Sequence, residues 1–301
     1  MGMTYISNKK LHSKLISIIL ALVLFLTIIT TPAYAAYSVS FGNANIQITS
    51  PSINNAQYEK FLTIAGTSSL NKVWLCLRGP NGELSVYPLD VQNGSFQKDI
   101  WLRFGPGKYT IWAGDNEKQF DGKIRFEVQN TSSDNYFHLT PSGYVNSDDL
   151  LVQNTVKSIV KEDMNDLAKA KVIHDWVVKN IIYDTAAYYE GKPKMNTAVQ
   201  VLKDKKGTCR DYSFAFAALA RAAGIETRVV YGDAWNSALK KYEKHAWNEV
   251  FIDGQWLSID TTWDSGYISN KKFVIASTQK YFNMDAETFK KTHKMTSLTL
   301  F

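Results

Sequence analysis

Cys209 is one of only two cysteines in the chain, and it stands directly ahead of an apolar run that ends before Gly224. Thr208, with Asp211 three residues later, forms the pattern of a capping box, which predicts a helix over 209–223 that begins at the cysteine. The start of a helix carries unpaired N–H groups and positive dipole charge, and both stabilise a thiolate. The residue type and its position therefore predict a nucleophilic cysteine.

A histidine and an aspartate further along the chain could activate such a thiol. His245 begins a strand-like run that turns at Asp253-Gly254 into a second run ending at Asp260. An Asp-Gly pair between two such runs is a strong signal of a two-residue hairpin. A thiol needs a proton acceptor, which is usually a histidine held by a third group. We therefore expect His245 to act as the base and Asp260 to orient it.

The predicted hairpin has a register that a structure can check. With Asp253 and Gly254 as the loop, Trp247 lies opposite Asp260, and His245 lies on the same face, diagonal to the aspartate. Diagonal neighbours are about 7–8 Å apart at the backbone, which allows a hydrogen bond between their side chains. A slip of one residue would place these side chains on opposite faces of the sheet.

The N-terminal part of the chain is predicted to be all-β. Between residues 38 and 130, short β-like runs alternate with turn sequences such as Asn93-Gly94. This spacing is typical of a small antiparallel sandwich, and we predict a domain of immunoglobulin-like type. The runs cover 61–65, 73–77, 84–89, 100–102, 109–112 and 124–128.

The second half of the chain has a different pattern. Residues 131–150 are polar and rich in turn formers, which predicts a linker between two domains. Beyond it, apolar residues recur at helical spacing over 164–181, so a domain over 151–301 is predicted to be α+β. Three other histidines are expected to take no part in chemistry: His174 on the solvent side of that helix, His138 in the linker and His293 near the C-terminus.

The first 35 residues have the pattern of a targeting signal. Lys9, Lys10 and Lys14 precede an apolar run over 15–29, and Ala33-Tyr34-Ala35 follows as a cleavage site. The apolar run is short for a membrane span. We interpret 1–35 as a cleaved secretory signal, with a retained anchor as the alternative. The mature protein is then expected outside the cytoplasm, secreted or in the cell envelope, without a stable membrane span.

Composition and charge exclude several classes of protein. Hydrophobic residues make up 45% of the 301 residues, which is typical of a globular chain. The formal net charge is +6, and removing the three lysines of 1–35 leaves +3, too little to predict a nucleic-acid partner. No cluster of histidine, cysteine and carboxylate has the spacing of metal ligands, so no cofactor is expected. Two cysteines form no disulfide framework, so Cys76 and Cys209 are expected to be free thiols.

Four motifs follow one another along the chain: Gly207-Thr208-Cys209, Ala223-Gly224-Ile225, His245-Ala246-Trp247 and the run from Trp256 to Asp260. In type and order they resemble the transglutaminase-like superfamily. The resemblance implies a papain-like α+β core in which the cysteine helix packs on an antiparallel sheet. It also implies acyl transfer through a thioester, with Cys209 as nucleophile, His245 as base and later acid, and Asp260 as the orienting group.

Such a reaction needs a group that stabilises the oxyanion. The backbone N–H of Cys209 is one donor. Tyr183 and Gln200 lie upstream as candidate side-chain donors, although Gln200 is expected on the surface of a short helix over 197–203. The side-chain donor therefore stays open.

The sequence also leaves open the carboxylate partner of His245, the role of two tryptophans and the substrate. Asp264, beyond the predicted strand, is a rival to Asp260 as partner of His245. Trp247 and Trp263 could form walls of a cleft or pack in the core. The expected substrate is a protein or a cell-wall peptide, and the alternative function is that of a catalytically silent cell-surface binding or adhesion protein.

Overall fold

The computed structural model describes residues 38–134, 136–191, 194–299 and 301. The predicted secretory signal over 1–35 lies outside the described residues. Within the described residues, no helix is long and apolar enough to cross a membrane.

Eight strands form the first half of the described chain, and each predicted β-like run overlaps one of them. Their bounds are β1 Ile46–Ser50, β2 Ala56–Tyr58, β3 Phe61–Ser68, β4 Lys72–Arg78, β5 Leu84–Asp90, β6 Ser95–Trp101, β7 Gly107–Gly114 and β8 Ile124–Asn130. A three-stranded sheet has the order β1-β3-β6, and a five-stranded sheet has the order β2-β8-β7-β4-β5. Alternate residues of both sheets, such as Ile64, Leu75 and Ile111, are buried in one shared hydrophobic core.

A tyrosine fixes one corner of this β-sandwich. The Tyr109 hydroxyl, near the start of β7, lies 2.8 Å from the carbonyl of Leu102 and 2.9 Å from that of Gly105. It also accepts the N–H of Phe104 at 2.8 Å. A tyrosine that bonds the backbone just upstream of its own strand is a feature of immunoglobulin-like domains. This feature favours the immunoglobulin-like type, which stays a prediction.

The second half mixes helices and strands, which confirms the predicted α+β class. The helices are α1 Leu150–Ile159, α2 Asp166–Asn180, α3 Thr185–Glu190, α4 Ala198–Asp204, α5 Cys209–Ala222, α6 Thr261–Ser265 and α7 Ala286–Lys290. The strands are β9 Ile182–Tyr183, β10 Lys206–Gly207, β11 Thr227–Asn236, β12 Lys241–Ile252, β13 Gln255–Ile259, β14 Gly266–Ser269, β15 Lys272–Ile275 and β16 His293–Leu298. The main sheet has the order β13-β12-β11-β16.

Helix α5 is the centre of this half. Its apolar residues, Phe214 and Phe216 among them, are buried on every side of the helix. The helix packs on β11 and β12 of the sheet and against α1, α2 and α4. Asn248 of β12 donates to the carbonyl of Ser213 at 3.0 Å and ties helix and sheet together. The predicted buried helix is confirmed, and Gly224 follows its end with a φ of +82° that favours glycine.

The segment predicted as a linker is largely buried. Tyr144 and Val145 belong to the hydrophobic core around α5. Arg221 of α5 donates to the carbonyl of Thr140 at 3.1 Å. A Cβ at Gly143 would lie 1.8 Å from the carbonyl oxygen of Val86 in β5, so only glycine permits this close approach. The segment thus packs between the sandwich and the α5 core, while the domain bounds 38–130, 131–150 and 151–301 stay predictions.

Candidate active site

The capping box at the start of α5 positions the thiol. The Asp211 carboxylate accepts the backbone N–H of Thr208 at 2.7 Å and its hydroxyl at 3.0 Å, so the predicted capping box is confirmed. A Cβ at Gly207 would lie 2.3 Å from the Cβ of Asp211, which explains the glycine there. Cys209 is the first residue of the helix, and it is half-buried and unbridged. Its sulfur therefore lies at the positive end of a helix dipole.

The β12–β13 hairpin brings the histidine and the aspartate together. Its pairs run from Ile252 with Gln255 to Asn248 with Ile259, so the predicted register is confirmed. Asp260 follows β13 directly. The Nε2 atom of His245 lies 2.7 Å from Oδ2 of Asp260, which confirms the predicted contact.

His245 is influenced by both of the other predicted residues. Its Nε2 is hydrogen-bonded to Asp260, which leaves Nδ1 as the ring nitrogen available to Cys209, and the charge of Cys209 acts on the imidazole. Burial alone would lower the pKa of His245. The charge and hydrogen bond of Asp260, together with those of Cys209, instead raise this pKa to about 10. The imidazole is therefore a cation at neutral pH.

Asp260 is fully buried and receives several hydrogen bonds. As the N-cap of α6, its Oδ1 accepts the backbone N–H groups of Thr262 at 2.9 Å and Trp263 at 3.1 Å. Burial alone would raise the pKa of Asp260, but the charge and hydrogen bond of His245, with those of His293, lower it well below its ordinary value. The aspartate is thus a permanent anion facing a cationic imidazole.

Two tryptophans enclose the His245 ring. The ring centroid of Trp247 lies 6.2 Å from that of His245, and the centroid of Trp263 lies 5.5 Å from it. The contact with Trp263 arises because Asp260 caps α6, which carries this residue. Trp247 serves both as a wall beside the imidazole and as a core residue, since it is 3% exposed and also packs on Phe289.

Comparison with known proteins shows which family this region resembles. Residues 153–261 match the family model of the transglutaminase-like superfamily, and this stretch includes Cys209, His245 and Asp260. This region, called the transglutaminase-like domain below, is therefore similar to that superfamily.

The transglutaminase-like domain also has relatives among curated proteins. Human kyphoscoliosis peptidase is 27% identical over 146 residues, which cover 46% of this chain and 22% of the relative. An uncharacterized protein of Haemophilus influenzae is 36% identical over 110 residues, which cover 35% of this chain and 29% of the relative. The chain thus spans less than a third of the length of either relative.

Solved structures show only a distant likeness. Red sea bream transglutaminase aligns with 75% of this chain and 51% of its own, at 10% identity and a TM-score of 0.30. An arylamine N-acetyltransferase of Bacillus cereus aligns with 36% of this chain and 48% of its own, at 11% identity and a TM-score of 0.31. The likeness to the transglutaminase-like superfamily therefore rests on the sequence match.

His293 is a member of the site that the sequence does not predict. It begins β16, is 3% exposed, and its Nε2 lies 3.1 Å from Oδ2 of Asp260, the oxygen that also accepts from His245. Strand β16 pairs with β11, where Ala234 faces His293. In the sequence, only the residue type suggests a role for His293 in the site. Nothing local in the sequence indicates that the last strand lies beside β11.

Three tyrosines, Tyr183, Tyr188 and Tyr231, lie close enough to the thiol for its charge to affect them. Burial and the negative charge of Cys209 raise the pKa of Tyr183 far above its ordinary value, so its phenol stays protonated. Tyr188 of α3 donates its hydroxyl to the Glu243 carboxylate at 3.0 Å. Gln200 is exposed on α4 and bonds Asp204 at 2.8 Å, as expected for a surface residue. Of the two candidate oxyanion donors, only Tyr183 lies near Cys209.

The structure corrects the placement of His174 and gives Asp264 a separate partner. The sequence predicts His174 on the solvent side of α2, but it is fully buried because α6 packs over that side of the helix. Its Nε2 lies 3.0 Å from Oδ2 of Asp264. Asp264 also accepts the Thr278 hydroxyl and the N–H of Tyr281. It is therefore not the partner of His245.

Asp264→Ala is expected to lower the free energy of unfolding by roughly 3 kcal/mol, because it leaves buried donors of His174, Thr278 and Tyr281 without their acceptor. Urea unfolding followed by circular dichroism measures this loss. Glu287→Gln, at a side chain that is 80% exposed, is the control and is expected to stay within about 0.5 kcal/mol of wild type. Equal stability of the two variants would contradict a structural role for Asp264.

Among the described residues, one group of side chains has the donor set of a metal site. The ligand atoms of His245, Asp260 and His293 lie within 4.8 Å of one another. Two imidazole nitrogens and a carboxylate oxygen suit a transition metal. These atoms are bonded to one another at 2.7 and 3.1 Å, which are N–H···O hydrogen-bond distances. The reaction proposed below uses these three side chains as hydrogen-bonding groups.

Proposed function

We propose that the protein is a secreted cysteine-dependent enzyme that transfers acyl groups from amide bonds of proteins or cell-wall peptides. The observation that carries this proposal is the hydrogen bond of His245 to the buried Asp260 carboxylate, together with a helix-start thiol whose charge acts on the same imidazole. Cys209 is then the nucleophile, His245 the proton carrier and Asp260 the group that orients it. This is the arrangement that nucleophilic catalysis by a thiol requires.

The first half-reaction forms a thioester. The Cys209 thiolate attacks the amide carbon while the imidazolium of His245 faces the leaving nitrogen. As the C–N bond breaks, His245 gives a proton to that nitrogen, and ammonia or an amine leaves. Asp260 keeps the imidazole in the orientation that serves both partners, since its Oδ2 holds Nε2 and leaves Nδ1 toward the thiol.

The second half-reaction releases the acyl group. His245, now neutral, takes a proton from an incoming amine or water, which attacks the thioester carbon. The C–S bond breaks and the thiolate returns beside the imidazolium. An amine acceptor gives a crosslinked or modified protein, and water gives hydrolysis.

Two N–H or O–H donors are available for the oxyanion of each step. The backbone N–H of Cys209 is free at the start of α5, where the first N–H groups of a helix lack partners. The Tyr183 phenol is the second donor that we propose. Its ring is held by Tyr212, with centroids 6.4 Å apart, and by Phe273, with centroids 6.0 Å apart.

Tyr183→Phe is expected to lower kcat by roughly 100-fold with little change in KM, because an oxyanion donor acts mainly in the transition state. Steady-state kinetics of ammonia release from a glutamine peptide measures both constants. The control is Tyr189→Phe, at a side chain of α3 that is 52% exposed, which we expect to resemble wild type. A Tyr183→Phe variant with the kcat of wild type would remove Tyr183 from the oxyanion site.

One experiment separates the possible outcomes for the enzyme. The protein from residue 36 onward is incubated with a glutamine-containing protein and a labelled primary amine, and label incorporation, ammonia and new peptide ends are quantified. Incorporation supports transamidation, and ammonia or peptide release without incorporation supports hydrolysis. Absence of all three on a panel of protein and cell-wall peptide substrates would refute the enzymatic proposal and favour a silent binding protein.

Export is tested separately in cells that express the full chain. We expect the mature protein in the medium or the cell envelope, with an N-terminus after Ala35 when the recovered protein is sequenced. Recovery of the unprocessed chain from the cytoplasm would contradict secretion.

A further inference from the structure

We infer that His293 is a positioning residue of this site, which holds the Asp260 carboxylate in the orientation that His245 needs. The site then has four residues that interact in series, in the order Cys209, His245, Asp260 and His293. This inference rests on the proposed function, because it gives His293 a role in the same reaction.

The hydrogen bonds of Asp260 show what His293 contributes. Its Oδ1 is occupied by two backbone N–H groups of α6, so Oδ2 is the oxygen that serves the imidazoles. That oxygen accepts from His245 at 2.7 Å and from His293 at 3.1 Å. A buried carboxylate is stabilised as an anion by each such donor. Without His293, one side of Oδ2 would face no donor, and the carboxylate could turn away from His245.

The two imidazoles carry different charges. His245 is the cation. Burial lowers the pKa of His293, the hydrogen bond and charge of Asp260 oppose this effect in part, and the positive charge of His245 adds to it. A neutral His293 has one ring proton, which must lie on Nε2 to bond the carboxylate. Its Nδ1 is then an acceptor that lies 2.9 Å from the Thr292 hydroxyl, which also lies 3.2 Å from the carbonyl of Phe289. His293 thus donates a hydrogen bond to Asp260 and adds no second positive charge beside the carboxylate.

An aromatic enclosure fixes the His293 ring. Phe289 of α7 stacks on it with centroids 3.9 Å apart and an interplanar angle of 18°. Trp263 and Tyr281 approach the same ring, with centroids at 4.4 and 5.8 Å. This enclosure excludes water from Oδ2 and prevents rotation of the imidazole. A residue with only a packing role would need no ring nitrogen aimed at the carboxylate.

The test compares His293→Gln with His293→Met. The two replacements have similar size and shape, but only glutamine places an N–H donor near the position of Nε2. We expect His293→Met to lower kcat roughly 10- to 100-fold with KM within about twofold of wild type. His293→Gln is expected to stay within about threefold of wild type. His293→Phe, which keeps a flat ring in the enclosure, replaces the methionine variant if that variant fails to fold.

A second measurement needs no substrate. On a Cys76→Ala background, the rate of alkylation of Cys209 by iodoacetamide is followed from pH 4 to 11. A step at high pH marks the loss of the imidazolium proton of His245. We expect this step to move down by about one pH unit in His293→Met and to stay in place in His293→Gln, because only the former loosens Asp260.

The outcomes separate the inference from the proposed function. If the alkylation step moves as expected while no amide substrate reacts, His293 positions the site and the proposed reaction is wrong. If wild type is active and the methionine and glutamine variants share both the kcat and the alkylation profile of wild type, the inference about His293 is overturned. A fall in melting temperature with unchanged kcat and profile would also overturn it.

Discussion

Cys209→Ala is expected to lower label incorporation and ammonia release by roughly 10⁴-fold or more, because the variant has no atom that can form the thioester. Alanine keeps a good helix former at the start of α5 and leaves the capping box of Thr208 and Asp211 intact. The variant should therefore fold as wild type does. Mass spectrometry of a trapped acyl-enzyme gives a second measurement, since the thioester adduct should disappear.

Cys76→Ala is the matched control for this variant. Cys76 is the only other cysteine of the chain and is buried in β4 of the sandwich. Burial raises the pKa of its thiol, so it is a poor nucleophile. We expect Cys76→Ala to keep the activity of wild type. Substantial incorporation by Cys209→Ala, or its loss in Cys76→Ala, would show that the nucleophile has been misassigned.

The parts of the site that the sequence predicts correctly depend on short-range rules. A capping box joins residues three apart, so Thr208 and Asp211 are sufficient to place the start of α5. The Asp253-Gly254 turn determines the register of its hairpin, and that register brings His245 to Asp260. Both rules act within about fifteen residues, and the structure agrees with each.

The parts that the sequence does not predict depend on packing between distant segments. The side of α2 that carries His174 is polar in sequence, and it is buried because α6, ninety residues later, supplies Asp264 as a partner. The segment predicted as a linker is polar and turn-rich, yet Tyr144 packs on Phe214 of α5 with ring centroids 5.9 Å apart. His293 enters the site only because β16 pairs with β11. No local pattern predicts such pairings.

Asp260→Asn is expected to lower kcat by roughly 10²- to 10⁴-fold. An asparagine keeps the shape of the side chain. Its carbonyl can still cap α6 in place of Oδ1, but the amide NH₂ then faces the Nε2–H groups of His245 and His293. To relieve this clash between donors, the His245 cation must give up the proton on Nε2, and it becomes neutral with its remaining proton on Nδ1. The Cys209 thiolate then loses the positive charge that stabilises it.

The same variant should change the pH dependence of the reaction. In wild type, the raised pKa keeps His245 protonated at neutral pH, and this cation is lost as the pH rises through about 10. Without the charge of Asp260, burial dominates and lowers the pKa of His245, so the alkaline limb of kcat/KM should move to lower pH.

The control is Asp233→Asn. Asp233 is a partly exposed residue of β11 paired with Lys244, and its replacement should keep the alkaline limb in place. If Asp264→Asn moved the limb and Asp260→Asn did not, Asp264 would be the orienting residue. The 2.7 Å contact between His245 and Asp260 predicts the opposite result.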